Sequence, residues 1–120
     1  MQINPILAID GYKTSHREQY PQGTNRVYSN FTPRGNRYFQ SPLADDRLVF
    51  FGLQGFLKWF MVDLFNQQFF AQPEEQVVGE YQLLMDGYLG ENRVSVEHIR
   101  ALHRLGYLPL EIKSLDEGSK

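Results

Sequence analysis

Between positions 10 and 16 the chain reads Asp10-Gly11-Tyr12-Lys13-Thr14-Ser15-His16. A carboxylate, a phenol, an ammonium and an imidazole thus fall within about two helical turns. Asp is a good helix N-cap, so Asp10 is expected to start a short helix running toward Tyr20. On it Tyr12 and His16 share a face at four-residue spacing, and Asp10 and Lys13 at three. Two readings fit. One is a capped surface helix with a single ion pair. The other is a flat aromatic with polar neighbours, suited to stacking a planar ring and bonding its substituents. Arg34 poses a similar choice after Phe31-Thr32-Pro33. Its planar fork matches an anionic oxygen pair, as in a phosphate clamp, or it is one more solvated charge beside Arg37.

Other chemistries find no support. His98 and His103 are five apart on one expected helix, hence about 140° apart around its axis, and are read as two solvent-facing histidines rather than metal ligands. No Gly-rich phosphate loop or nucleophile elbow occurs. Cysteine is absent, which excludes disulfides, thiolate zinc sites and cysteine nucleophiles and fits a reducing cytoplasm.

The elements that must position these residues come from 120 residues, enough for one domain. With 12 basic and 14 acidic residues the net charge is −2, which argues against nucleic-acid binding through a basic face. Val27, Ser29 and Phe31 alternate with Tyr28, Asn30 and Thr32, predicting a strand over Asn25 to Arg34 that Pro33 ends. Gly35 to Asp46 reads as a polar loop. Phe50, Leu53, Leu57, Phe60, Met61 and Leu64 recur at helical spacing. Leu48 to Phe65 is the one membrane candidate, but Gln54, Lys58 and Asp63 inside it would be costly in hydrocarbon, so it is read as a buried amphipathic helix. Phe51, Phe56, Trp59 and Val62 make it apolar nearly all round, so something must cover it. A second helix begins at Pro73 with Gly87 as its stop, and a third runs from Ser95 as N-cap to Gly106. Leu110 to Leu115 is a candidate last strand.

Several blocks in order carry a resemblance. Leu7-Ala8-Ile9-Asp10-Gly11-Tyr12-Lys13-Thr14-Ser15-His16 with Gln19-Tyr20-Pro21 resembles the N-terminal segment of the nicotinamide phosphoribosyltransferase family. So do Val27-Tyr28-Ser29-Asn30-Phe31 leading to Arg34, Val49-Phe50-Phe51-Gly52-Leu53-Gln54, and Leu108-Pro109-Leu110-Glu111-Ile112-Lys113 with Glu117-Gly118. The resemblance implies a pentosyltransferase that joins nicotinamide to 5-phosphoribosyl 1-pyrophosphate for NAD salvage, with Mg²⁺ and coupling to ATP, in a homodimer whose sites draw on both subunits. It implies that Tyr12 stacks on nicotinamide across the interface with Asp10 close by, and that Arg34 helps hold phosphate. The metal-binding carboxylates and the histidine of ATP coupling lie in the longer remainder of such an enzyme.

Element order and resemblance together predict an α+β fold, a small sheet packed with about three to four helices. Residues 1–120 would be the N-terminal domain cut from a larger, α/β barrel-like enzyme, cytoplasmic, without membrane or nucleic-acid partners, and inactive alone. The rivals are a non-catalytic dimerisation or interaction module and the nicotinate-using branch of the superfamily.

Overall fold

A computed structural model describes residues 3–33 and 47–120. Its core gathers where apolar side chains from three helical segments meet: Phe65 and Phe69, then Val77, Val78, Tyr81 and Met85, then Ile99. Two short 3₁₀ turns come first, Pro5–Leu7 and Gly11–Ser15, and the second leads into helix α1 (His16–Gln19). Helix α2 (Leu53–Phe56) opens a long helical run that continues as wider π-helix through Leu57–Leu64 and Asn66–Phe70. Helices α3 (Glu74–Leu89) and α4 (Glu97–Leu105) follow.

The π segments change which side chains share a face. Hydrogen bonding to the fifth residue aligns positions five apart, where an α-helix aligns three and four. Phe60, Phe65 and Phe70 therefore form a ladder, with ring centroids 5.8 Å and 6.3 Å apart. Lys58 and Asp63, also five apart, form an ion pair on the outside. Phe65 and Phe69 reach the core, while Phe56, Trp59 and Val62 stay exposed. The expected buried helix is thus buried along one face only.

Helix ends follow the expected chemistry with small displacements. Helix α3 passes through Gly87 and stops at Gly90, whose φ of 99° ends the spiral at no steric cost. Gly106 closes α4 in the left-handed conformation, as expected. At the start of α4 the Ser95 hydroxyl accepts the Glu97 amide proton at 3.3 Å. The helices are joined outside the core by charge. Arg104 holds Glu74 through two bonds of 2.9 Å, and Arg100 reaches both Glu74 and Glu75.

The predicted α+β fold is overturned: among the described residues there is no strand and no sheet. The stretches 25–33 and 110–115 form no ladder and are exposed throughout, with Phe31 98% accessible. A two-residue alternation specifies two faces of an extended chain, but a strand also needs a partner with free backbone groups. The two stretches meet at one side-chain pair, Arg26 with Glu111 at 3.2 Å. Elsewhere, the Phe50 amide donates to the Ser119 carbonyl and the Gly118 amide to the Phe50 carbonyl, both at 2.7 Å, so the C-terminal turn is latched beside the entry to α2. No helix among the described residues is long and apolar enough to cross a membrane.

Candidate functional site

The first residues are tied down before the candidate site begins. Asn4 is buried; its amide nitrogen donates to the Val77 carbonyl at 3.0 Å, and its side-chain oxygen accepts the Ile6 amide proton at 3.3 Å. Both amide functions are thus satisfied, which removes most of the cost of burying them. The Ile3 amide donates to Gln68 Oε1 at 2.6 Å. Ile6 and Leu7 pack on the core.

Asp10 then sits at the N-cap position with extended backbone, and its carbonyl accepts the Lys13 amide proton at 2.9 Å. Its carboxylate makes no capping bond and stays exposed. The expected Asp10–Lys13 ion pair is absent, because Asp10 is the extended N-cap and lies outside the helical turn that carries Lys13. Lys13 instead places its ammonium 5.1 Å from the Tyr12 ring centroid. In a 3₁₀ turn residues three apart eclipse one another. Gly11 and Thr14 accordingly face inward, half-buried, while Tyr12 and Ser15 face outward. Thr14 Oγ1 donates to the Gly11 carbonyl at 2.7 Å and Ser15 Oγ to the Tyr12 carbonyl at 3.0 Å, bracing the turn from both faces.

Tyr12 is 62% exposed, with the His16 ring 5.7 Å away and tilted by 57°. The expected sharing of a face by Tyr12 and His16 therefore holds. Beside them lies a shallow, solvent-open depression of about 680 Å³ lined by Leu7, Ala8, Ile9, Asp10 and Lys13. Asp10 and Lys13 line the depression, and Lys13 also reaches the exposed Tyr12 ring, which in turn packs against His16, so an aromatic, an ammonium and an imidazole sit beside the carboxylate. Arg34 lies outside the described residues, as does the loop from Gly35 to Asp46.

The sequence misses what supports this patch from behind. Gly11 lies against the Tyr88 ring from the last turn of α3, so a Cβ at position 11 would come within 2.8 Å of it. No local pattern announces a contact between residues so far apart in the chain. The two histidines also correct the expectation that they face solvent. His98 packs edge-on against Tyr81 with centroids 5.7 Å apart, and its Nδ1 is buried without a hydrogen-bond partner. Burial holds the imidazole below its ordinary pKa, and the nearby Arg17 charge pushes the same way. His103 packs on Phe69 at 5.5 Å and bonds through Nε2 to the Gln72 carbonyl at 2.8 Å. Both flank the apolar stripe of α4 and are drawn in with it. Among the described residues no group of three or more His, Asp or Glu side chains lies close enough to hold a metal ion.

Comparison with known proteins gives a consistent answer. The family described as nicotinamide phosphoribosyltransferase, N-terminal domain, matches residues 4–112. The chain is 56% identical over 119 residues to a nicotinamide phosphoribosyltransferase of Acinetobacter baylyi, a match covering 98% of this chain and 24% of that relative. It is 42% identical over 55 residues to a nicotinamide phosphoribosyltransferase of Xanthomonas campestris pv. campestris, covering 46% of this chain and 10% of that relative. The chain thus spans about a quarter or less of the curated relatives it matches. No solved structure matches it.

Proposed function

The chain belongs to the nicotinamide phosphoribosyltransferase N-terminal domain family, and on that premise we propose that it works as the nicotinamide-facing part of a cytoplasmic pentosyltransferase. That enzyme joins nicotinamide to 5-phosphoribosyl 1-pyrophosphate and releases nicotinamide mononucleotide and pyrophosphate in NAD salvage. The observation that carries the reading is the 56% identity over 119 residues, a span that includes the whole patch around Tyr12.

In this reading the protein is a homodimer, and Tyr12 offers its ring to nicotinamide bound mainly by the partner subunit. A pyridine amide is planar and weakly polar, so an exposed phenol ring can stack on it, with the Asp10 carboxylate in reach of its amide hydrogens. Arg34 supplies a fork for phosphate oxygens. Mg²⁺ and ATP coupling are assigned in this reading to the remainder of the enzyme. The part played by these residues is to bind and orient the base while other residues handle the phosphoribosyl group.

Two preparations test this. The purified 120-residue chain, given nicotinamide, phosphoribosyl pyrophosphate and Mg²⁺, is expected to make no mononucleotide above a blank. A chimera carrying this chain in place of the matching segment of the Acinetobacter baylyi relative is expected to make it. An inactive but folded chimera would mark the chain as a non-catalytic interaction module instead.

A further inference from the structure

We propose that Tyr88 is a positioning residue for the base-stacking segment: its ring sits against Gly11 and sets how Tyr12 projects. The proposal rests on the reading of Tyr12 as the residue that stacks on nicotinamide. A Cβ built on Gly11 would lie 2.8 Å from Tyr88 Cε1, 3.0 Å from Cζ and 3.0 Å from the phenol oxygen. The ring, itself 65% exposed, thus occupies the space where a side chain at position 11 would begin. Gly11 stands directly before Tyr12, and in a 3₁₀ turn neighbouring residues point to different sides. Pressure on the inward Gly11 thus fixes the outward aim of Tyr12.

The helix that delivers Tyr88 is itself fixed. Val77, Val78, Tyr81 and Met85 anchor α3 in the core. The same helix holds Asn4 through the Val77 carbonyl. Stretch 4–11 is therefore referred to one helix at both ends, at Val77 by a hydrogen bond and at Tyr88, one turn beyond the core anchors, by ring contact. Within the segment, the Thr14 and Ser15 hydroxyl bonds keep the turn intact but are local, so they do not set its orientation to the core.

The test uses steady-state kinetics of the chimera described above, with Tyr12→Ala as the benchmark. Tyr88→Ala is expected to raise the KM for nicotinamide about three- to tenfold, because loosely held binding groups lose affinity before anything else. The kcat and the KM for phosphoribosyl pyrophosphate stay unchanged. Tyr88→Phe keeps the ring and behaves as the parent. Gly11→Ala displaces the ring and raises the same KM, and the double variant loses less than the product of the singles because the new methyl enters the vacated space. If Tyr88→Ala leaves the nicotinamide KM alone while Tyr12→Ala raises it, the positioning role is wrong and the stacking role stands. A change in kcat and both KM values together also overturns it, as that pattern marks a general loss of structure. Should Tyr88→Ala not fold, Gly11→Ala decides alone, an unchanged KM counting against the proposal. If Tyr12→Ala itself has no effect, the stacking reading fails and the positioning role falls with it.

Discussion

Tyr12 is reachable because the turn that carries it is short and braced, with the ring outward and the glycine before it inward. Losing one aromatic stacking partner costs on the order of 1 kcal/mol, so Tyr12→Ala in the chimera should raise the KM for nicotinamide about fivefold. Tyr12→Phe should cost little, because the ring and not the hydroxyl makes the contact. The cross-subunit role gives a sharper outcome. A dimer mixed from Tyr12→Ala subunits and subunits disabled in the remainder of the enzyme should recover one intact site. Heterodimers that form and stay as inactive as their parents would argue against it. At this scale local spacing put Tyr12 and His16 on one face, as the structure has them. It misread the Asp10–Lys13 pair, since the spacing argument needs both residues inside one helix and Asp10 is the extended cap before it. It had no means of finding Tyr88 or the buried Asn4, whose partners are distant in the chain.

Between elements, two charge arrangements give α3 and α4 separate pH windows. Bonds from Arg104 first, and from Arg100, hold the Glu74 carboxyl below its ordinary 4.5. A folded-state pKa below the unfolded one means stability present above 4.5 and lost as the pH falls further. His98 has its folded pKa depressed from 6.5, chiefly by burial, with Arg17 adding to the shift and Glu18 opposing it, while Tyr81 packs on its ring. The unfolded chain takes up that proton first, so stability begins to decline as the pH drops below about 6.5. Thermal unfolding followed by circular dichroism should show both declines. His98→Phe, which keeps a ring against Tyr81, should flatten the upper one. Glu74→Gln should lower the melting temperature at neutral pH and flatten the lower one. The helices themselves were legible because apolar periodicity and Gly or Pro stops are local signals. The strands were misassigned at Asn25 to Arg34 and Leu110 to Leu115 because pairing is not local. The five-residue ladder of Phe60, Phe65 and Phe70 escaped a search for three- and four-residue spacing.

The whole chain is more open than its length calls for. A folded protein of 14.0 kDa exposes roughly 6,700 Å², whereas this one exposes 9997 Å². Its radius of gyration is 17.8 Å, against roughly 14 Å for a compact domain of this size. Much of the excess is apolar, including Tyr28, Phe31, Phe51, Trp59 and Leu115. Surfaces of that kind associate, so light scattering of the purified chain should show species above monomer mass at high concentration. A clean monomer would mean that these side chains are better solvated than their exposure implies. The latch at the C-terminal turn carries a consequence of another kind, one of timing. Glu117 receives the amide protons of Gly52 at 2.6 Å and Gln54 at 3.4 Å, so the first turn of α2 is completed by a carboxylate from far downstream. A ribosome adding about 5–20 residues per second would expose this aromatic helix for several seconds before its closing residue is made. During that interval its Phe side chains are available to whatever else the nascent chain meets, and the arrival of Glu117 ends the wait.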